Sequence, residues 1–169
     1  MNTSHHPTEP APALVWSDAL LLGFGPMDTV HREFVDVVTA LQSAEEADWP
    51  ARMDALIAHA RSHFGEEDRW MRETGFPAAE CHIDEHAAVL RSIEEVRALL
   101  AQGDGRECRR LADELLRWFP GHADYLDSAL AHWMCKRRLG GKPVVLRRGV
   151  AHPLDTTERE AAHDADHRA

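Results

Sequence analysis

Apolar residues recur with a period of about 3.6 in four successive stretches of this chain, and glycine or proline marks every junction between them. The junctions read GFGPMD at 23–28, ADWPAR at 47–52, TGFPAAE at 74–80 and QGDGRE at 102–107. Proline suits the first turn of a helix, whose N–H groups lack partners anyway, and glycine suits the end, where the chain turns left-handed. Helices are therefore predicted over roughly 26–45, 50–73, 77–102 and 105–138. Their apolar faces are Val30, Phe34, Val35, Val38 and Leu41; then Met53, Leu56, Ile57, Ala60, Phe64, Trp70 and Met71; then Val89, Ile93, Val96 and Leu100; and last Cys108, Leu111, Leu115, Trp118, Phe119, Leu126 and Leu130. Short connections make consecutive helices antiparallel neighbours. The expected fold is all-α, an up-down-up-down antiparallel four-helix bundle over residues 16–138.

With 169 residues, one such domain accounts for most of the chain. The first 15 residues read as a flexible arm from which Leu14 and Trp16 can dock back, and residues 139–169 as a poorly ordered extension. A basic run, CKRRLGGKPVVLRR at 135–148, leads into that extension, which ends with more acid than base. A solvated tail is the simple reading of it; a protein partner for the extension is the sharper one, with only the charge run behind it. A net charge of -10 argues against nucleic acid as a partner, because phosphate binding needs a basic face. No secretory leader and no membrane-spanning run is apparent, so the expected location is cytoplasmic. Three cysteines without CxxC spacing point to reduced thiols, with Cys81 and Cys108 as small core fillers.

Several polar residues fall in phase with the apolar faces. His63 and Glu67 are one helical turn apart and aligned with Leu56, Ala60 and Trp70; His82 and His86 align with Val89 and Ile93. His31 precedes Phe34 by one turn, and His122 follows Trp118 by one turn. A lone histidine on an apolar face is most often a hydrogen-bonded core residue. Five of them would need many polar partners, and the stripes hold almost no serine, threonine, asparagine or glutamine. A metal ion satisfies all the inward nitrogens together. Imidazole-rich ligation suits zinc, copper, iron or nickel, and five imidazoles exceed what one tetrahedral zinc accepts. Two metals sharing bridging carboxylates fit the count better. The second bridging acid is expected near His122. Asp127 is the candidate, although five residues span about 140° on an ideal helix, so it must flank His122 or reach it through a π-bulge. Asp124 lies about 160° from the core direction, where a solvated acid belongs.

The series MDTVH at 27–31, HFGEE at 63–67, HIDEH at 82–86 and HADYLD at 122–127 resembles bacterial hemerythrin from about Trp16 to Trp133. The resemblance implies a centre of two non-haem irons. One would be held by His82, His86 and His122, and the other by His31 and His63 with one coordination position open. Glu67 and Asp127 would bridge them, with an oxo or hydroxo group as third bridge. It further implies reversible binding of dioxygen at the open position, and hence an oxygen carrier or store rather than an enzyme. Phe34, Phe64, Trp118 and Phe119 would wall the oxygen pocket. The donor set agrees, because five neutral imidazoles and two carboxylates leave no inward acid free for general acid chemistry. Two other readings stay open: an oxygen or redox sensor acting through the C-terminal extension, and a di-iron peroxidase or nitric oxide reductase.

Three features depart from the family pattern or bear on the site. Pro120 and Gly121 interrupt the fourth helix just before His122 and are expected to kink it or admit solvent. His59 stands one turn before His63, where the family commonly carries tyrosine, and is expected to support the ligands. Asp28 matches the family and is expected to cap the first helix.

Overall fold

The computed structural model describes residues 14–145; the rest of the expected arm and of the expected C-terminal extension lies outside the described residues. Four helical rods form the fold. They are α1 (Gly25–Gln42), α2 (Trp49–Thr74), α3 (Ala79–Ala101), and a composite fourth rod of α4 (Arg106–His122), a π-helical turn (Ala123–Asp127) and α5 (Ser128–Leu139). Short 3-10 turns at Asp18–Leu20 and Glu46–Asp48 precede α1 and α2, and no strand occurs among the described residues. α1 packs on α2 and α4, and α3 packs on the same two, which closes the ring of an antiparallel four-helix bundle as the periodicity predicts.

The junctions work as their residues suggest. Pro26 and Pro50 sit in the first turns of α1 and α2. α2 ends at Gly75, with φ of 63°, and the N–H of Phe76 returns to the carbonyl of Met71 at 3.0 Å. Gly103, with φ of 88°, closes α3 in the same way, the N–H of Asp104 reaching Leu99 at 3.0 Å. Asp28 differs from expectation. Its carboxylate accepts the N–H groups of Leu22 at 2.7 Å and Gly23 at 3.0 Å, so it ties down the incoming loop rather than the helix start. Pro143 and Val145 lie against Gly23, so residues 143–145 fold back on that loop.

The core has two apolar clusters. Phe34, Val38, Leu41, Met53, Leu56, Ile93 and Leu115 belong to one; Phe24, Met27, Trp70, Met71, Leu130 and Met134 to the other. Leu14 and Trp16 dock on the first, as expected. Cys108 and Cys135 are buried, but Cys81 is exposed, which corrects its assignment to the core: α3 turns His82 inward, and the residue before it points away. Leu126, expected in the apolar stripe, is only half-buried, while its neighbour Asp127 is fully enclosed.

Candidate metal centre

Between the two apolar clusters lies a polar layer. His31 comes from α1, His63 and Glu67 from α2, His82 and His86 from α3, and His122 and Asp127 from the fourth rod. None is more than 4% exposed. The π turn solves the phase problem of the last pair. Its wider turn, in which bonds run from i to i+5, lets a residue five positions on return to the same face. His122 Nε2 is consequently 3.3 Å from Asp127 Oδ1. Asp124 is exposed, as the phase argument requires. The expected kink at Pro120 and Gly121 does not break the rod, because α4 runs through both residues to His122, which stays 4% exposed. The backbone irregularity falls one residue later instead, in the π turn.

The donor atoms divide into two groups. Glu67, His82, His86, His122 and Asp127 contribute one set of atoms all within 4.8 Å of one another, and His31, His63 and Glu67 contribute a second. In the larger group His82 Nε2 is 3.0 Å from Asp127 Oδ1, His86 Nε2 is 3.4 Å from Glu67 Oε2, and His122 Nε2 is 3.3 Å from His82 Nε2 and 3.2 Å from His86 Nε2. In the smaller group Glu67 Oε1 is 3.4 Å from His31 Nε2 and 3.2 Å from His63 Nε2. Asp127 Oδ2 also faces the smaller group, 3.2 Å from His31 Nε2. Each carboxylate thus turns one oxygen to each group.

These contacts are close, yet several are not hydrogen bonds. His31 Nε2, Glu67 Oε2 and both oxygens of Asp127 are buried without a hydrogen-bond partner, although nitrogen and oxygen stand about 3 Å apart. Donors that share one six-coordinate ion at bonds of about 2.1 Å lie about 3 Å apart along its edges. The residues therefore fit a bound metal better than a network of protons. Without metal, the charges settle differently. Burial disfavours a charged His31, but Asp127 and Glu67 beside it outweigh burial and raise its pKa to about 9. Burial works against the Asp127 carboxylate too, and His122, His31 and His82 hold it well below the usual range.

Two further carboxylates support the ring nitrogens that face away from the centre. Asp68 Oδ1 is 2.9 Å from His86 Nδ1, and Glu85 Oε1 is 3.1 Å from His122 Nδ1. Sequence reasoning missed both, although each adjoins a predicted ligand, Asp68 following Glu67 and Glu85 preceding His86. His59 is half-buried, its ring 5.6 Å from that of His63; burial and the neighbouring His63 push its pKa down to about 4.

The four aromatic residues proposed as a wall all border this layer. The ring of Phe119 stands 5.1 Å from His31 and that of Phe34 5.9 Å from His63. Phe64 stacks on His86 at 4.3 Å, and Trp118 lies over His122 at 4.3 Å. Phe34 and Phe119 thus serve the two-histidine side, whereas Trp118 backs the three-histidine side.

Comparison with known proteins agrees with this geometry. Residues 23–133 match the hemerythrin HHE cation-binding domain. The chain is 41% identical over 126 residues to a bacteriohemerythrin of Ralstonia nicotianae, covering 75% of this chain and 92% of that protein. It is 31% identical over 113 residues to a bacteriohemerythrin of Aquifex aeolicus, covering 62% and 85% respectively. A bacteriohemerythrin of Stenotrophomonas maltophilia is 28% identical over 126 residues, covering 70% and 79%. The match spans all seven inward-facing histidines and carboxylates, and the chain belongs to the hemerythrin family.

Proposed function

We propose that this protein binds dioxygen reversibly at a pair of non-haem irons and acts in the cytoplasm as a carrier or store of oxygen. The observation that carries the reading is the division of Glu67 and Asp127, each of which turns one oxygen to the three-histidine group and the other to the two-histidine group. His82, His86 and His122 would hold one iron with Glu67 Oε2 and Asp127 Oδ1. His31 and His63 would hold the second with Glu67 Oε1 and Asp127 Oδ2. One donor fewer on that side leaves room for an exogenous ligand. The irons would supply the electrons that make oxygen binding strong and coloured. The chain's own part is to hold them in a dry, weakly anionic cage. Phe34 and Phe119 keep water from the two-histidine side, and among the described residues no buried acid besides the two bridging ones stands ready to deliver a proton. That inventory favours binding over turnover.

The test is iron content together with the visible spectrum of protein reduced under argon, exposed to air and purged again. Two irons per chain and a charge-transfer colour that comes with air and fades on purging are expected. Protein with two irons that oxidises irreversibly would move the assignment to a sensor or to a peroxidase or nitric oxide reductase, and steady turnover of peroxide or nitric oxide would identify the enzyme. A sensor is the second reading. The contact of Pro143 and Val145 with Gly23, in the loop that Asp28 ties to the start of the His31 helix, supports it by linking the chain's C-terminal part to the site. Deletion of residues 140–169 that leaves oxygen binding intact but removes a partner interaction would favour the sensor.

A further inference from the structure

The histidines on the two sides of the centre are not held alike. His86 and His122, both in the larger group, direct Nδ1 at a carboxylate, Asp68 at 2.9 Å and Glu85 at 3.1 Å. The Nδ1 atoms of His31, His63 and His82 are buried and have no partner. The Glu85 carboxylate is itself braced, since the same Oε1 accepts the indole N–H of Trp118 at 2.8 Å. The Trp118 ring in turn covers His122, with centroids 4.3 Å apart and planes at 35°. This assembly stands where the backbone gives least support. Pro120 removes a helix donor two residues before His122, and the π turn begins one residue after it.

A carboxylate that accepts Nδ1–H fixes the imidazole tautomer, so that Nε2 keeps its lone pair for a metal, and it makes that nitrogen a stronger donor. Both effects fall on the three-histidine side alone. We propose that Glu85, braced by Trp118, is a positioning residue for His122, and that Glu85 and Asp68 together make the three-histidine position the one that holds its metal more tightly. The inference rests on the di-iron reading above. Outer partners of this kind are worth about 10–100-fold in metal affinity.

Glu85 suits the test because its side chain is 40% exposed, so replacing it leaves no buried void. Full-length protein would be loaded with ferrous iron under argon, and release to an excess of a ferrous chelator followed by colour. Two phases are expected in the parent protein, the slower from the three-histidine position and absent in His82→Ala. Glu85→Ala should speed the slower phase by about 10–100-fold and leave the faster one alone. Glu85→Gln, which keeps an acceptor oxygen for both Trp118 and His122, should recover most of the loss. An unchanged slower phase in Glu85→Ala, or equal acceleration of both phases, overturns the proposal. A parent protein that takes up no iron overturns the di-iron reading instead.

Discussion

His122 and Asp127 are five residues apart and still meet, with His122 Nε2 3.3 Å from Asp127 Oδ1, because the chain between them is wound as a π turn. On a regular α-helix five residues span about 140°, and one of the two would face the solvent. The irregular turn is therefore the element that lets a single rod supply both the last histidine and the last carboxylate. A half-buried Leu126, which a regular helix would turn inward, is its by-product.

Removing one ligand separates metal-linked stability from packing. His82→Ala should lower the stability of the metal-loaded protein by about 3 kcal/mol more than that of the metal-free protein, since metal stabilises only the folded chain. Thermal unfolding of both forms, with and without iron, checks this; equal losses in the two would show that His82 is a core residue and nothing more.

In the metal-free protein, stability should peak near pH 6.5. The pKa of His31 is raised to about 9 and that of His122 is also raised, so their contribution is complete below 6.5 and is lost as the pH climbs through 9. Burial lowers His59 to about 4 and also lowers His86, so their contribution is complete above 6.5 and is lost as the pH falls. The depressed Asp127 and Glu67 add a further loss in acid, as the pH falls below about 4. On the alkaline side the change is on the order of 3–4 kcal/mol for His31, whose pKa rises from 6.5 to about 9, at about 1.4 kcal/mol per pKa unit. Urea midpoints at pH 4.5, 6.5 and 9.5 test the shape, and a steady rise across that range would contradict it.

Gly121→Ala should stabilise the bundle by about 0.5–1 kcal/mol without loss of metal. Gly121 is helical, and a Cβ added there meets nothing within 4 Å. Denaturant titration gives the stability and iron content the metal; a destabilised variant would mean that the turn before His122 needs the freedom of glycine.

Gly105→Ala should do the opposite, at a cost of about 1–3 kcal/mol. A Cβ at Gly105 would come within 2.5 Å of Trp49 Cζ3 and 2.6 Å of its Cε3, so the indole that packs under the α3–α4 turn would have to move. A fall in the melting temperature, with a change in tryptophan fluorescence, is the expected result; an unchanged melting temperature would show that Trp49 swings aside freely.

Much of this was legible in the sequence because helices write their period into it. Pro26, Pro50, Gly75 and Gly103 act at the boundaries where their chemistry places them. Asp127 was found, despite its imperfect phase, as an acid close to His122; the five histidines and Glu67 stood out because each sits where an apolar side chain belongs. Asp68 and Glu85 did not, since a carboxylate on the outer side of a helix looks like any solvated acid until a ring on another rod is found against it. Cys81 was misplaced because a reduced cysteine was assigned to the core by residue type alone, without its phase on α3 beside the inward His82.

The sequence by itself determined the four rods, their antiparallel order and six polar residues turned inward, the five histidines and Glu67, because local propensity and a 3.6-residue period act over neighbouring positions. Only the tertiary structure decided which donor meets which. The split of the carboxylate oxygens between two groups, the π turn that brings Asp127 under His122, and the pairing of Glu85 with Trp118 and His122 depend on distances between separate rods. Those distances follow from how the whole core packs, and no stretch of neighbouring residues contains them.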